Sequence, residues 1–270
     1  MIHANKDFVL GVAISTTSYQ QVIACCAEWI KEAREARLQK LGTRGRYICV
    51  TSVHGIMTAR ADVVFRQILN EADVATPDGM PVVWALRSLG HSAQSRVYGP
   101  TLMLQLCANA EQQGHRVFFY GGRPETLNAL RANLLALFPK LQIVGAFAPP
   151  FRPLTSDEDA EVIRLITESA ADLVFVGIST PKQETWMSAH REQLPSVVMI
   201  GVGAAFDFHA GRVSQAPAWM QRNGLEWFYR LLTEPKRLWR RYLLETPLFL
   251  PLWGLQLAGF LRYSDETEQK

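Results

Sequence analysis

Short apolar runs alternate with longer runs of helical period along most of this chain. Residues 8–14 read as one buried strand. Ser15, Thr16, Thr17 and Ser18 then offer N-caps. The helix that follows places Val22, Ile23, Cys26, Trp29 and Ile30 at helical spacing, turns charged from Lys31 to Lys40, and is broken by Gly42 and Gly45. Residues 47–51 are a second strand and residues 56–72 a helix. Asp73 opens another short apolar run, which Pro77 ends. Asp78 falls on a Pro-Asp-Gly turn, and a new helical pattern starts at Met80. This places a carboxylate at the C-terminal edge of a strand, where open α/β sheets bind their ligands. Taken alone, the same tripeptide is an ordinary turn signal.

Helices are predicted over 82–89 and 100–113, the second led by Pro100. From Gly114 strands are predicted over 117–120, 141–145, 173–178 and 197–203. Helices over 124–138, 156–170 and 181–194 separate them, with Ser156 as the cap of the middle one. Strictly alternating strands and helices argue for an α/β fold, a Rossmann-like parallel sheet with helices on both faces.

The pattern changes after that. Residues 217–263 hold no strand signal, and Trp219, Trp227, Phe228, Tyr229, Trp239, Tyr242, Phe249, Trp253 and Phe260 stand among Arg222, Arg230, Lys236, Arg237, Arg240 and Arg241. The chain divides into an α/β core, residues 1–212, and a basic, aromatic-rich helical C-terminal appendage, residues 213–270. Residues 243–261 approach the length and apolarity of a membrane span, but Glu245, Pro247, Pro251 and Gln256 interrupt them. With Arg237, Trp239, Arg240 and Arg241 just before, they suit a segment lying in a membrane interface beside anionic lipid. The plainer alternative is a helix pair packed on the core or on another subunit.

Composition narrows the classes. At 270 residues, 48% hydrophobic and 20% charged, the chain is too apolar for a disordered one and long enough for a proper core. A net charge of +3 carries no polyanion-binding signature, so nucleic acid is not an expected partner. Cys25, Cys26, Cys49 and Cys107 contain no Cys-x-x-Cys and read as buried thiols in a reducing cytosol. No signal-peptide pattern opens the sequence.

Two turns offer anion chemistry. Gly121-Gly122-Arg123-Pro124 joins a strand to a helix, a place where backbone N–H groups and the helix dipole favour a phosphate. Gly177-Ile178-Ser179-Thr180-Pro181-Lys182-Gln183-Glu184 repeats the arrangement: Ser179 and Thr180 can cap, Lys182 can pair with phosphate, and Gln183 can read a base or sugar hydroxyl. His54 follows a strand and precedes a helix. Asp207 and His209 form a pair without a third metal ligand, and Asp157, Glu158 and Asp159 read as first-turn acids of a helix. No metal site is expected.

Several segments together carry a resemblance: Ala72-Asp73 through Pro77-Asp78-Gly79-Met80-Pro81, Arg96-Val97-Tyr98-Gly99, Phe119-Tyr120-Gly121-Gly122, Ile143-Val144-Gly145, Pro181-Lys182-Gln183-Glu184 with Trp186, Gly201-Val202-Gly203-Ala204-Ala205-Phe206-Asp207, Ala216-Pro217 with Trp219, and Gly224-Leu225-Glu226-Trp227 followed by Arg230, Glu234-Pro235 and Arg237. In this order they resemble the WecG/TagA/CpsF bacterial glycosyltransferases, glycosyltransferase family 26, over nearly the whole chain. The resemblance implies a UDP-sugar donor, a polyprenyl-diphosphate-linked saccharide acceptor, inversion at the transferred sugar, no metal and no cofactor. It also implies a cytoplasmic protein held peripherally at the inner face of the cytoplasmic membrane, and leaves homo-oligomerisation open.

By this resemblance the base is Asp78, and the substrate pocket draws on Arg96 and Gln183. Thr51, Ser52, His54, Gly121, Gly122, Lys182 and Glu184 complete the candidate substrate residues. Arg230, Arg237, Arg240 and Arg241 are placed on the lipid diphosphate. The Thr-x-Asn of many members is Val50 and Ser52 here, and a common Arg-Ala-Pro is Gln215-Ala216-Pro217. Ser-Thr-Pro-Lys-Gln-Glu resembles the exopolysaccharide branch. The implied reaction is direct displacement, with the appendage closing over the pocket only at the membrane. Two other readings are a non-catalytic membrane-bound scaffold of a polysaccharide assembly complex and a nucleotide-dependent oxidoreductase. The second lacks the full Gly-x-Gly-x-x-Gly fingerprint.

Overall fold

Neighbouring residues of each central strand enter different cores. Tyr47, Cys49, Phe118, Tyr120, Val174, Val176 and Met199 pack into one buried cluster. Ile48, Val117, Phe119, Phe175, Val198 and Ile200 pack into another. A strand apolar on both sides must be covered on both sides, which is the condition of a parallel sheet in an α/β protein. The computed structural model describes residues 5–39 and 43–263. Lys40 and Gly42 lie outside the described residues.

In chain order the elements begin with strands β1 (Lys6–Val9) and β2 (Val12–Ser15), helix α1 (Tyr19–Leu38), β3 (Arg46–Thr51), α2 (Val53–Ala61), α3 (Val63–Asn70), β4 (Val74–Pro77) and α4 (Met80–Ser88). There follow α5 (Gly99–Gln113), β5 (Arg116–Gly121), α6 (Pro124–Leu137), β6 (Gln142–Phe147), α7 (Ser156–Glu168), β7 (Leu173–Gly177), α8 (Lys182–His190), β8 (Val198–Gly201) and α9 (Ala205–His209). The C-terminal segment adds α10 (Ala218–Arg222), α11 (Glu226–Thr233), α12 (Pro235–Arg240), a π-helical turn Arg241–Glu245, a 3₁₀ turn Thr246–Leu248 and α13 (Phe249–Leu257).

Among the described residues six strands form one sheet in the order β4-β3-β8-β7-β5-β6, every pair parallel. Helices α2, α3, α4, α7 and α8 cover one face. Helices α1, α5, α6 and α9 cover the other. The α/β reading of the sequence holds.

Four local expectations are corrected. The single strand over 8–14 is a hairpin outside the main sheet, in which β1 and β2 pair antiparallel. Leu10 and Gly11 both take positive φ, 50° and 86°, as a two-residue hairpin turn requires. The helix over 56–72 is two helices. Asp62 leaves helical angles at φ −128° and ψ 107°, and its side chain accepts the Phe65 N–H at 3.0 Å to cap the second. Thr155, not Ser156, caps α7: it accepts from Glu158 N–H while Glu158 accepts from Thr155 N–H, a reciprocal capping box. Asp157, Glu158 and Asp159 are that helix's first turn, as expected. Ser179 and Thr180 do not cap α8, whose start carries no side-chain cap.

The last elements fold back. Phe249 and Trp253 of α13 enter the core that holds the hairpin. Gln256 fastens the same helix, accepting from Leu10 N–H at 2.8 Å and donating to the Phe8 carbonyl at 2.6 Å. No helix among the described residues is long and apolar enough to cross a membrane.

Candidate active site

The short stretch around β4 carries two aspartates with different jobs. Asp73, at the strand's start, accepts from Arg46 at 2.8 Å, from Arg191 at 3.1 Å and from Tyr47 N–H at 2.9 Å. It is a structural clamp. Asp78, just past the strand's end, donates its N–H to the Thr51 carbonyl at 3.0 Å, which ties the turn to the end of β3. Its Oδ1 accepts the Gly99 N–H at 3.2 Å, at the first turn of α5. The side chain is 20% exposed and faces a cavity of about 400 Å³ at the C-terminal edge of the sheet.

The core side of this cavity comprises Val50, Ser52, His54, Asp78, Tyr98, Gly99, Pro100, Ser179, Thr180, Gln183, residues 201–205 and Phe208. The other side comes from the C-terminal segment: Glu226, Arg230, Arg237, Leu238, Arg240 and Arg241. The segment therefore already lies over the pocket. Ion pairs and hydrogen bonds within the chain hold it there in this structure.

Those contacts converge on Arg96. Its Nε donates to the Asp78 carbonyl, its Nη2 donates to Glu226 Oε2 at 2.7 Å, and its guanidinium lies 4.0 Å from the Tyr98 ring centre. The Tyr98 hydroxyl donates to Glu226 Oε1 at 3.0 Å. Burial opposes the charge on Arg96, but the Asp78 and Glu226 carboxylates overcome it and hold the guanidinium more firmly protonated than usual. Burial is also the largest influence on Asp78, and with Glu226 nearby it raises the carboxyl above its ordinary range. Arg96, the Gly99 N–H and Arg241 pull the other way without cancelling this.

Four arginines and two carboxylates line the cavity, so its field favours an anion. Arg241 donates to Ser52 Oγ at 3.3 Å. Burial lowers its affinity for its proton, and Arg230 and Arg237 add to that effect. Arg230 is buried yet held protonated by Tyr242, Glu234 and Glu226. Arg237 pairs with Glu234 at 2.5 Å.

The remaining candidates separate into those that reach the cavity and those that do not. Gln183 lines it, with its carbonyl accepting the Gly203 N–H at 3.1 Å and its amide donating to Glu184 Oε1 at 2.9 Å. Glu184 stands behind the lining, 2% exposed, and also accepts from Thr180 Oγ1 at 2.9 Å. Burial raises its carboxyl pKa. Thr51 is buried, and its hydroxyl donates to the Cys49 carbonyl at 3.2 Å. Lys182 is exposed and lies outside the lining; Gly121, which is buried, and Gly122, which is half-buried, lie outside it too.

The two glycines have a steric explanation. A Cβ on Gly121 would lie 2.5 Å from the Gly177 carbonyl oxygen, and the Gly122 N–H is already given to that oxygen at 3.2 Å. The Gly-Gly signal reports the close approach of β5 and β7. His209 donates Nε2–H to the Pro100 carbonyl at 2.9 Å. Among the described residues no three His, Cys, Asp or Glu side chains group as a metal site. Tyr98, Gly99, Thr180, Gly203 and Glu226 were missed as site residues. Tyr98, Gly99, Gly203 and Glu226 lie inside the motif segments, but only the fold brings them to Asp78 or Gln183.

Fold and site define an α/β protein with a carboxylate at its sheet edge beneath an arginine-lined cleft. The chain belongs to the glycosyl transferase WecG/TagA/CpsF family, whose family model matches residues 8–262. It is 34% identical over 200 residues to the N-acetylglucosaminyldiphosphoundecaprenol N-acetyl-beta-D-mannosaminyltransferase of Bacillus spizizenii (strain ATCC 23059 / NRRL B-14472 / W23), covering 74% of this chain and 76% of that protein. It is 30% identical over 199 residues to the protein of the same name from Bacillus subtilis (strain 168), covering 74% of this chain and 75% of that one.

Proposed function

We propose that this protein transfers a sugar from a UDP-sugar, with inversion, to a polyprenyl-diphosphate-linked saccharide in bacterial surface-polysaccharide synthesis. The observation that carries the reading is the position of Asp78, a carboxylate with a raised pKa in a cavity walled by Arg230, Arg237, Arg240 and Arg241. Asp78 accepts the proton of the acceptor hydroxyl as that oxygen attacks the anomeric carbon. The bond to the UDP oxygen breaks, and the departing diphosphate carries away its electron pair. The cationic field of the cavity meets that charge, the part a metal ion plays in other transferases.

The names of the Bacillus relatives support a polyprenyl-diphosphate-linked N-acetylglucosamine acceptor and an N-acetylmannosamine donor sugar. Gln183, Ser52 and His54 line the part of the cavity formed by the core and are assigned to the donor. The arginines of the C-terminal segment are assigned to the acceptor's diphosphate.

The segment's outer side supports docking on an anionic membrane surface from the cytoplasmic side. Trp219 is 55% exposed and Phe260 78%, and Trp239, Leu250, Leu255 and Leu257 are exposed in the same segment as the exposed cations Arg222 and Lys236. Ending the chain after Gln215 abolishes binding to vesicles of anionic lipid if this is right. Undiminished vesicle binding removes the docking reading.

The deciding experiment is UDP release from a panel of UDP-sugars, with and without a short-chain polyprenyl-diphosphate-linked N-acetylglucosamine, in parallel with EDTA. Acceptor-dependent release that survives EDTA is the expected result. A chain that binds vesicles but turns over no donor is the scaffold of the alternative reading.

A further inference from the structure

We propose that Glu226 is a positioning residue of the catalytic centre: from the C-terminal segment it holds the Arg96 guanidinium away from the Asp78 side chain, so that the carboxylate stays open to the acceptor's proton. The inference rests on the assignment of Asp78 as the base.

The geometry is a competition for one nitrogen. Arg96 Nη2 lies 2.7 Å from Glu226 Oε2 and 3.7 Å from Asp78 Oδ1. The first is a charge-assisted hydrogen bond and the second is outside hydrogen-bond distance. Arg96 Nε is committed to the Asp78 carbonyl, and the Tyr98 ring supports the guanidinium from one side. Tyr98 OH fixes the other oxygen of Glu226 at 3.0 Å. Each partner of Arg96 is thus held by a second contact. Asp78 takes the Gly99 N–H on Oδ1, and no hydrogen bond among the described residues reaches Oδ2. That oxygen is available to a substrate hydroxyl.

Without Glu226, Arg96 has one carboxylate left within reach. A bidentate pair with Asp78 would close over the base and weaken it, since a base paired to a guanidinium gives up affinity for the proton. Among the described residues, the charged and titratable groups that act on Asp78 include Arg96, Glu226, Arg241, Tyr98 and Tyr19, and His54, Arg230, Arg237 and Arg240 line the same cavity. Among the described residues, Glu226 is the acidic group of the C-terminal segment that acts on Asp78. It therefore couples the docking of that segment to the strength of the base in the core.

The test follows the Asp78 carboxyl by ¹³C NMR in the full-length chain, with the resonance assigned by its loss in Asp78→Asn. In Glu226→Gln the Asp78 midpoint falls by about one pH unit or more, and the acid limb of kcat/KM moves the same way. The plateau of kcat/KM drops about tenfold or more as Arg96 occupies the carboxylate. Glu226→Asp, which keeps the charge, returns the midpoint toward that of the wild type. An unmoved Asp78 midpoint in a Glu226→Gln chain with wild-type melting overturns the proposal, as does an equal shift in the Gln and Asp variants. Absence of sugar transfer by the wild type, with the midpoint shift intact, instead overturns the catalytic reading and leaves the Glu226–Arg96–Asp78 relationship standing.

Discussion

Arg241 donates to the hydroxyl of Ser52 at 3.3 Å across a sequence separation of 189 residues. Ser52 follows the end of β3 and precedes α2, and Arg241 begins the π-helical turn of the C-terminal segment. The contact places a buried cation over the sheet edge within reach of Asp78's field. Replacing Arg241 by Ala removes that cation while leaving the helices around it. Transfer to the lipid-linked acceptor should fall by about tenfold to a hundredfold, the range expected when a charge-assisted contact to a diphosphate is lost. Binding of UDP alone should change far less, and calorimetry with UDP separates the two.

Asp78→Asn should reduce transfer by about 10²–10⁴-fold, the contribution of a positioned general base. Its effect on stability has the opposite sign. Because the folded carboxyl has a raised pKa, the native state binds more protons than the unfolded state between the unfolded and folded pKa values. Stability from this group is full at lower pH and is lost as pH rises through the folded pKa. At neutral pH the Asn variant should therefore melt at or above the wild-type temperature. A variant that is inactive and also markedly less stable at neutral pH would mean that Asp78 is structural.

The same sign gives the activity profile. A base must be unprotonated, so kcat/KM should rise with pH through a value above the ordinary Asp range before levelling off. Asp78→Glu should displace that limb. A pH–rate profile whose acid limb is identical in the two proteins would assign the titration to another group.

Gly121→Ala tests the steric reading of the Gly-Gly turn. The residue sits at φ 130°, and its Cβ would lie 2.5 Å from the Gly177 carbonyl oxygen. The cost should be about 3 kcal/mol or more, from a strained backbone and a forced displacement of β7. Thermal denaturation should show it. A fully stable Gly121→Ala chain that has lost only UDP binding would restore the phosphate-cradle role to this turn.

Gln256→Ala should remove both hydrogen bonds that fasten α13 to the β1–β2 hairpin. A loss of about 1–3 kcal/mol is expected, the cost of leaving a part-buried N–H and a carbonyl unmatched. Hydrogen exchange should accelerate in α13 and in the hairpin together. Acceleration in one without the other would show that the two are held separately.

Much of the architecture was legible because its signals are local. Short continuous apolar runs located the six strands of the main sheet, and period-3.6 patterns the principal helices around them. Proline and glycine marked where the chain had to turn. The errors arose where one residue's backbone angles decided the outcome. Leu10 and Gly11 turn an apparent strand into a hairpin, and Asp62 divides one helical pattern into two. Neither event disturbs the apolar pattern on either side of it.

The site divides along the same line. The sequence by itself determined that a carboxylate, Asp78, would stand at the end of a parallel strand, and that a basic aromatic segment would follow the core, because turn chemistry and composition act over a few residues. The motif segments also identified the family. Only the tertiary structure decided that Gly121 serves strand packing, that Lys182 lies outside the cleft, and that Glu226 reaches Arg96 and Tyr98. Those outcomes depend on which chain segments approach within about 3 Å of one another, the range over which hydrogen bonds and steric exclusion act. Such distances are fixed by the order of strands in the sheet and by the return of the C-terminal helices over it. No local window of sequence contains them.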